Sequence, residues 1–264
     1  MNKKIFYIRL LYSIFSLILL NNSIASTLSN KQVIDLTYPF NNSTIYWPTE
    51  KGFNLKSIFY GKTPGGFFYS AYQFCAPEHG GTHLDAPRHF SKNGFTVDKI
   101  PVSQFIGSAV VINVVEQANK NTDYEITKAD IKNFEKKYRK LNKNDIVLFY
   151  TGWGKYWNNK KQYLGSDKLG DVKHLHFPGL SKQAAEYLVQ SQIKGIGIDT
   201  ASMDPGKSQD FWVHRIILGA NLFGIENVAH LDLLPAVGGE IIVAPMKISN
   251  GSGGPTRVLG ILRD

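Results

Sequence analysis

The sequence predicts one domain of mixed α/β structure, and three observations lead to this prediction. Strand-like segments outnumber helix-like segments, and the two kinds are interspersed along the chain. No internal repeat and no linker rich in proline, glycine and serine divides the 264-residue chain. An apolar fraction of 43% can bury a sizeable core. These features are typical of an α/β or α+β domain and leave its strand order open.

The first 25 residues have the three parts of a secretory signal peptide. Basic residues precede an eleven-residue apolar run, and small residues surround the expected cleavage point after Ala25. An uncleaved anchor helix would need about 20 apolar residues, so this run favours cleavage. We therefore expect an exported domain over residues 26–264 with no membrane anchor. It would be periplasmic in a Gram-negative source and secreted otherwise.

Seven segments have the alternation or the apolar run of a strand, and two have helical periodicity. The first helix is predicted to begin after Thr127, whose hydroxyl caps it while Asp130 completes a capping box. The second follows Ser181, where alanine, leucine and valine form an apolar stripe. The predicted strands are 32–36, 67–74, 108–115, 145–151, 193–199, 240–248 and 256–262.

Charge and cysteine content exclude several classes of protein. Removal of the three cations in residues 1–25, which contain no acidic residue, takes the formal net charge from +9 to +6. Most of the excess lies in 131–145, where apolar residues at helical spacing indicate one solvated helix face. We therefore expect no nucleic-acid partner. Cys75 is the only cysteine, so no disulfide forms within one chain, and its apolar surroundings predict a buried, unreactive thiol.

The stretch EHGGTHLDAPRHF, residues 78–90, concentrates residues that bind metals. Its glycines and proline disfavour a helix, so a loop or a strand leading into a turn is expected. In such a backbone His79, His83 and Asp85 can converge on one point, and His89 can arrive from the next bend. Imidazole and carboxylate suit zinc, manganese or iron better than calcium or copper(I). Polar surface residues in a glycine-rich turn are the alternative, which the clustering disfavours.

A second group of ligands is expected from a distant part of the chain. Glu226 lies among apolar neighbours, where a carboxylate is costly unless it is paired or binds a cation. It is therefore a ligand candidate, with an ion pair to Arg215 or Arg257 as the alternative. His214 precedes the same apolar segment.

Other side chains are candidates for contact with a substrate or a ligand. Among the aromatic residues, Trp47 and Trp212 are expected to form a substrate wall, the latter because it is close to His214. His176 has strand-type spacing with a neighbouring histidine, and one of the two is expected to line the pocket. Thr82 is expected to support a metal ligand through a hydrogen bond.

The run from His79 to His89 resembles the H-x-G-T-H-x-D-x-P-x-H signature of the cyclase family of metal-dependent amide hydrolases. This family includes enzymes of the kynurenine formamidase and isatin hydrolase types. The resemblance continues through VIDLTYPF, GIDTASMD, HRIILGANLFGIENV and NGSGGPTR. It implies a swivelling β/β/α fold, a homodimer or homotetramer, and a site with one or two divalent metals, zinc or manganese.

The resemblance also implies roles for individual residues. His79, His83 and Asp85 would hold metal, with Asp85 able to bridge two ions. His214 and Glu226 match positions that complete a second metal site, and His89 matches the catalytic histidine. The expected proton relay by His89 suits a group that titrates near pH 7. The implied substrate is a small aryl or cyclic amide.

Two alternative functions remain open from the sequence. One is hydrolysis of a lactone or another ester by the same site. The other is an exported, non-catalytic protein that binds a metal or a small molecule. A structural zinc site is closed by four ligands and has no use for an additional histidine, so His89 favours an enzyme. Export departs from the usual cytoplasmic formamidases and argues against a role in tryptophan breakdown.

Overall fold

A closed ring of hydrogen-bonded strands forms the centre of the computed structural model, which describes residues 32–262. The predicted signal peptide lies outside these residues and stays a prediction. The ring arises from an eight-stranded sheet whose last strand pairs with two others. This arrangement confirms the predicted α/β single domain, here built around a closed β-barrel.

The strands, in chain order, are β1 (Gln32–Asp35), β2 (Asn54–Lys62), β3 (Phe68–Cys75), β4 (His83–Asp85), β5 (Ile106–Asn113), β6 (Glu125–Ile126), β7 (Asp145–Tyr150), β8 (Gly179–Leu180), β9 (Gly195–Ile198), β10 (Phe223–Glu226), β11 (Gly239–Pro245) and β12 (Gly253–Leu262). The helices are α1 (Val115–Lys120), α2 (Lys128–Lys137), α3 (Lys160–Leu164), α4 (Lys182–Gln190) and α5 (Trp212–Gly219). Short 3-10 turns lie at Pro87–His89, Val102–Phe105, Trp153–Tyr156 and Leu231–Leu233.

The sheet combines a parallel half with an antiparallel half. Strands β5, β7, β9 and β10 run parallel to their neighbours in that order. Strands β11, β12 and β4 complete the ring in antiparallel pairs, and β1 adds to the edge of β12. Because β4 pairs with both β10 and β12, this three-residue strand closes the barrel.

Two apolar cores lie on the two faces of the parallel strands. In β5 and β7, Val110 and Val147 pack with the helices, whereas Ala109 and Ile146 pack into the ring. Successive side chains of a strand point to opposite faces, so a strand that is buried on both faces needs an apolar residue at every position. This requirement explains the continuous apolar runs that predicted these strands.

The two predicted helices begin where the sequence indicated. At α2, Thr127 Oγ1 accepts a hydrogen bond from Asp130 N at 3.2 Å, and Asp130 Oδ2 accepts one from Thr127 N at 2.7 Å. At α4, Ser181 Oγ accepts a hydrogen bond from Ala184 N. Both predicted caps are confirmed. Among residues 32–262, no helix is both long enough and apolar enough to span a bilayer.

All seven predicted strands are confirmed, but several elements were not predicted. Strand β10, with four residues, is too short to show a period and was not predicted, whereas β4 lies where a loop or a strand leading into a turn was expected. Helix α5 begins after Phe211, whose φ is 51° and whose side chain forms no cap, so no local start signal precedes it.

The hairpin of β2 and β3 also departs from expectation. These strands pair with each other and are exposed along nearly their whole length. The prediction of a buried Cys75 was therefore wrong, because β3 presents it to solvent. Neighbouring aromatic residues, including Phe67 and Phe68, are exposed as well.

Glu135 joins α2 to α4 through a buried carboxylate. Its side chain is 2% exposed and accepts hydrogen bonds from Lys140 Nζ at 3.0 Å, Tyr187 Oη at 2.8 Å and Leu141 N at 3.2 Å. Burial by itself raises the pKa of this carboxyl, but the donors outweigh burial and lower the pKa from 4.5 to about 2. The ionised form is therefore the one that the fold stabilises.

Stability is predicted to depend on pH through Glu135. Since its pKa is lower in the folded state, its contribution is present above the unfolded pKa and is lost as the pH falls toward the folded pKa. Glu135→Gln is expected to lower the unfolding free energy at pH 7 by about 1–2 kcal/mol, after allowance for screening by water. It should also flatten the loss of stability between about pH 5 and pH 3. Urea unfolding at several pH values measures both effects.

Glu116→Gln is the matched control for this prediction. Glu116 pairs with Lys120 on the surface of α1, where both side chains are exposed. Lys120 lowers the pKa of Glu116, but water screens this exposed pair, so the replacement is expected to change the pH profile of stability far less than Glu135→Gln does. A Glu135→Gln protein with the parent's acid profile would contradict the prediction.

Candidate metal centre

Short strands bring the predicted metal ligands to one point. His83 and Asp85 are two residues apart in β4, so their side chains lie on the same face of the strand. Leu84, between them, points into the core. Antiparallel pairing places Glu226 of β10 directly opposite His83. His214 reaches the same point from the first turn of α5.

Asp85 lies at the centre of this cluster. Its Oδ1 is 2.6 Å from His79 Nδ1 and 3.2 Å from His83 Nε2. Its Oδ2 is 3.2 Å from His214 Nε2. Glu226 completes the group, 3.5 Å from His83 Nε2 and 3.1 Å from His214 Nε2. The structure thus brings together all five residues that were predicted to bind metal.

The alternative partners of Glu226 are occupied elsewhere. Arg257 forms two hydrogen bonds with Asp35, at 2.9 and 2.6 Å. The guanidinium of Arg215 lies 4.2 Å from the ring centre of Trp212. Glu226 instead accepts a hydrogen bond from Met203 N at 2.9 Å and faces the histidines. Its carboxylate therefore belongs to the cluster.

Hydrogen bonds on the far side of each ring direct the other ring nitrogen to the centre. His83 Nδ1 donates to Gly81 O at 3.0 Å, which leaves Nε2 toward Asp85. His214 Nδ1 donates to Asp204 Oδ2 at 2.7 Å, which leaves its Nε2 toward the centre. Histidines that bind metals typically have their second nitrogen held in this way.

His79 is held by a chain of two hydrogen bonds. Its Nε2 donates to Ser252 Oγ at 2.9 Å, and Ser252 Oγ donates to Glu78 Oε2 at 2.5 Å. Ser252 N also donates to Glu78. This chain leaves Nδ1 of His79 as the nitrogen that faces Asp85.

Two buried atoms in the cluster fit a cation. His83 Nε2 and Asp85 Oδ2 have no hydrogen bond of acceptable geometry although both are buried. Leaving such atoms unsatisfied is costly, and a cation between them would satisfy both. His79, His83 and Asp85 offer ligand atoms within 4.8 Å of one another. The donor set of imidazoles and carboxylates is one that zinc and manganese accept.

The pKa values of the cluster residues indicate that this site favours positive charge. Burial lowers the pKa of the His83 imidazole, but Asp85 and Glu226 outweigh burial and raise the pKa to about 9. The pKa of His214 is raised well above its usual value because Asp204, Asp85 and Glu226 outweigh burial. Burial by itself raises the pKa of Asp85, but the histidines hold it well below the usual range. Two buried carboxylates therefore create a field that favours a cation here.

His89 lies beside the cluster on the turn that follows Pro87. Its ring stacks on that of His79, with centroids 3.7 Å apart and an interplanar angle of 19°. It offers a ligand atom within 4.8 Å of those of Asp85 and His214. Burial lowers the pKa of His89 to about 4, which corrects the expectation of titration near pH 7. The imidazole is therefore neutral at pH 7.

A cavity of about 360 Å³ opens above the cluster. Its volume lies in the usual range for small-molecule sites, which begins at about 300 Å³. Trp47 lines it, as predicted from the sequence, and Glu50 and Glu78 lie among its polar residues. The apolar wall consists of Ile45, Tyr46, Trp47, Pro77, Phe90 and Phe211.

Two predicted substrate contacts lie away from this cavity. Trp212 is on the outer side of α5, where Lys182 Nζ and the Arg215 guanidinium lie over its ring. The preceding Phe211 lines the cavity instead. His176 forms a hydrogen bond with Asp123 at 2.9 Å and is not among the lining residues. Strand spacing misled the prediction for His176, because residues 171–178 form no strand.

Thr82 supports the site differently from the prediction. Its Oγ1 donates to Asn227 O at 2.7 Å and accepts from Tyr38 N at 3.0 Å, so no ligand side chain is its partner. Asn227 Nδ2 in turn donates to Gly81 O, the same carbonyl that holds His83. Thr82 therefore stabilises the loop that carries the ligands.

The paired glycines allow a close approach of aromatic rings. A Cβ at Gly80 would lie 2.1 Å from the Tyr46 ring. Gly81 has a φ of +58°, and a Cβ there would lie 2.7 Å from Phe40. Any side chain at either position would displace these rings and the ligand loop with them.

Several site residues were missed by the sequence reasoning. Asp204 and Ser252 lie in the segments GIDTASMD and NGSGGPTR, and Glu78 directly precedes His79, but the reasoning singled out none of the three. Phe90 and Phe211 each lie within three residues of a predicted site residue, which is the one signal that pointed toward them.

Comparison with known proteins gives consistent results. The Cyclase family model matches residues 34–205. An isatin hydrolase from Roseibium aggregatum is 32% identical over 194 residues, or 70% of this chain and 72% of that protein. A kynurenine formamidase from Bacillus thuringiensis is 26% identical over 228 residues, or 86% of this chain and 95% of that protein. The crystal structure of an isatin hydrolase bound to the product analogue thioisatinate has a TM-score of 0.83 and 29% identity, covering 93% of this chain and 98% of that one.

Proposed function

Because the chain belongs to the Cyclase family, we propose that it is a metal-dependent hydrolase that cleaves the carbon–nitrogen bond of a small aryl or cyclic amide. The observation that carries this proposal is the position of the cluster. Five candidate ligand side chains converge at the end of a cavity with aromatic walls, and two of them, His83 and Asp85, have buried polar atoms without a hydrogen-bond partner. The similarity to isatin hydrolase and kynurenine formamidase supports the substrate class.

We propose zinc or manganese as the metal, with one or two ions per chain. His79, His83 and Asp85 would hold one ion. Asp85 presents its second oxygen to His214, so these two residues and Glu226 would hold another. A divalent metal at this point would lower the pKa of a water molecule and would polarise the amide carbonyl.

The side chains of the cavity perform the remaining steps. Trp47, Phe90 and Phe211 hold the flat ring of the substrate and exclude water around it. The water oxygen forms a bond to the carbonyl carbon while His89, a neutral imidazole, takes the water's proton. His89 then gives this proton to the leaving nitrogen as the carbon–nitrogen bond breaks. The products are a carboxylate and an amine, which remain in one molecule if the amide was cyclic.

The reaction class is tested with residues 26–264 after removal of metal by a chelator. We expect absorbance to report hydrolysis of isatin or of an N-formyl aryl amine only after zinc or manganese is added back. The faster substrate places the enzyme near the isatin hydrolases or near the formamidases. Metal binding without turnover of either substrate would contradict the amide proposal and direct the search to esters or to a binding function.

Two substitutions separate metal binding from proton transfer. His83→Ala is expected to lose metal, measured by titration calorimetry, because it removes a buried ligand. His89→Ala is expected to keep the metal and to lose turnover by about 10²–10⁴-fold, because it removes the proton carrier. His174→Ala, at an exposed histidine paired with Asp171, is the control and should match the parent in both. Parent-rate hydrolysis by His89→Ala would refute its role.

We further propose that the chain forms a homo-oligomer through the β2–β3 hairpin. An isolated two-stranded hairpin is marginally stable in water and needs a surface to pack on. Here Tyr60 and Phe68, in edge contact at 5.3 Å, are 69% and 63% exposed. The other large apolar side chains exposed on the hairpin are Leu55, Ile58, Phe59, Tyr69, Tyr72 and Phe74. A second copy of the chain would cover this surface.

Light scattering coupled to gel filtration tests the oligomer. The parent is expected to have the mass of a dimer or tetramer, and Tyr60→Ser with Phe68→Ser to shift toward monomer, since each removes apolar area from the interface. Val102→Ser, at a residue that is 74% exposed outside the hairpin, should keep the parent's mass. A monomeric parent would contradict the proposal.

A further inference from the structure

Helix α5 begins without a cap of its own. Phe211, which precedes the helix, has a left-handed backbone and no side-chain hydrogen bond to the first turn. The free N–H groups of a first turn need acceptors. Asp204 supplies them from an earlier segment of the chain. Its Oδ1 accepts from Val213 N at 2.9 Å, and its Oδ2 accepts from His214 N at 3.0 Å.

The same carboxylate also holds the ring of His214. Asp204 Oδ2 accepts a hydrogen bond from His214 Nδ1 at 2.7 Å, shorter than its bonds to the backbone. With Nδ1 engaged, Nε2 is the nitrogen that faces Asp85 and Glu226, at 3.2 and 3.1 Å. One side chain therefore sets both the position of the helix and the rotation of the ligand that the helix carries.

Asp204 is itself fixed in place. The residue is 2% exposed, and its backbone N–H donates to Ser202 Oγ at 3.2 Å. Ser208 Oγ lies 3.4 Å from Asp204 Oδ1 and accepts from Phe211 N at 3.2 Å. A buried carboxylate with these fixed donors has little freedom to move away from His214.

We propose that Asp204 is a positioning residue of the metal centre, which keeps the proton of His214 on Nδ1 and presents Nε2 to the metal. This inference rests on the proposed metal-dependent function. Asp204 is not among the residues that line the cavity, so it acts on the centre through the start of α5 and the ring of His214. The acceptor behind His83 is a backbone carbonyl, whereas the acceptor behind His214 is a side chain, so this link can be removed by substitution.

The test compares three variants by calorimetric titration with Zn²⁺ and with Mn²⁺, well below the melting temperature of each protein. Asp204→Ala is expected to weaken binding by about 10–100-fold, the usual effect of losing a group that orients a metal-binding histidine. Asp204→Asn is expected to weaken it less than Asp204→Ala does, because an amide oxygen can still accept one of the hydrogen bonds but lacks the charge. Asp210→Ala removes an exposed carboxylate from the same loop and should bind both metals like the parent.

A second measurement reports the ring directly. Nitrogen-15 NMR of the zinc-loaded parent is expected to place the proton of His214 on Nδ1, and a proton on Nε2 would overturn the proposal. Parent affinity in a folded Asp204→Ala protein would also overturn it. If that variant does not fold, unchanged affinity in Asp204→Asn has the same meaning. A parent that binds neither Zn²⁺ nor Mn²⁺ would instead refute the metal-dependent function itself.

Discussion

The buried carboxylate of Asp85 is the interaction on which the site depends. It lies within 3.2 Å of ring nitrogens from three histidines, of which His79 and His83 belong to the stretch 78–90 and His214 to α5. A second carboxylate, that of Glu226, lies beside the same rings. Two buried negative charges are unfavourable unless positive charge compensates them. The raised pKa values of His83 and His214 express this imbalance. A divalent cation balances the same charge without requiring protonated ligands.

Closure of the barrel is what makes this concentration of charge possible. Strand β4 is three residues long, yet it pairs with β10 on one side and β12 on the other. The first pairing sets Glu226 opposite His83. The second brings Ser252, at the start of β12, to His79. Strand pairing therefore holds His83, Asp85 and Glu226, and a hydrogen bond on the far side of the ring holds each of the three histidines.

A series of aromatic contacts connects the exposed hairpin to the ligand loop. Phe74 of β3 stacks on Phe53 with centroids 5.8 Å apart, and Phe53 contacts Phe40 at the same distance. Phe40 in turn occupies the space beside Gly81, whose carbonyl holds His83. A partner that covers the hairpin would thus be linked, through these ring contacts, to residues that support the ligand loop. This path gives a physical reason for the proposed oligomer and the proposed activity to occur together.

The sequence by itself determined those features that depend on residues only a few positions apart. The caps at Thr127 and Ser181 and the seven strands follow from local patterns and are observed. The convergence of His79, His83 and Asp85 also follows, because strand alternation and a glycine turn act within a few residues.

Tertiary structure decided what depends on distant pairing. Glu226 faces histidines rather than an arginine because β10 pairs with β4 in that register. Phe211 lines the cavity and Trp212 does not, because a left-handed residue starts α5 and a remote carboxylate, that of Asp204, sets the helix position. Cys75 is exposed because its hairpin leaves the core. Local rules contain no information on these contacts, since their energies arise only when segments far apart in sequence meet.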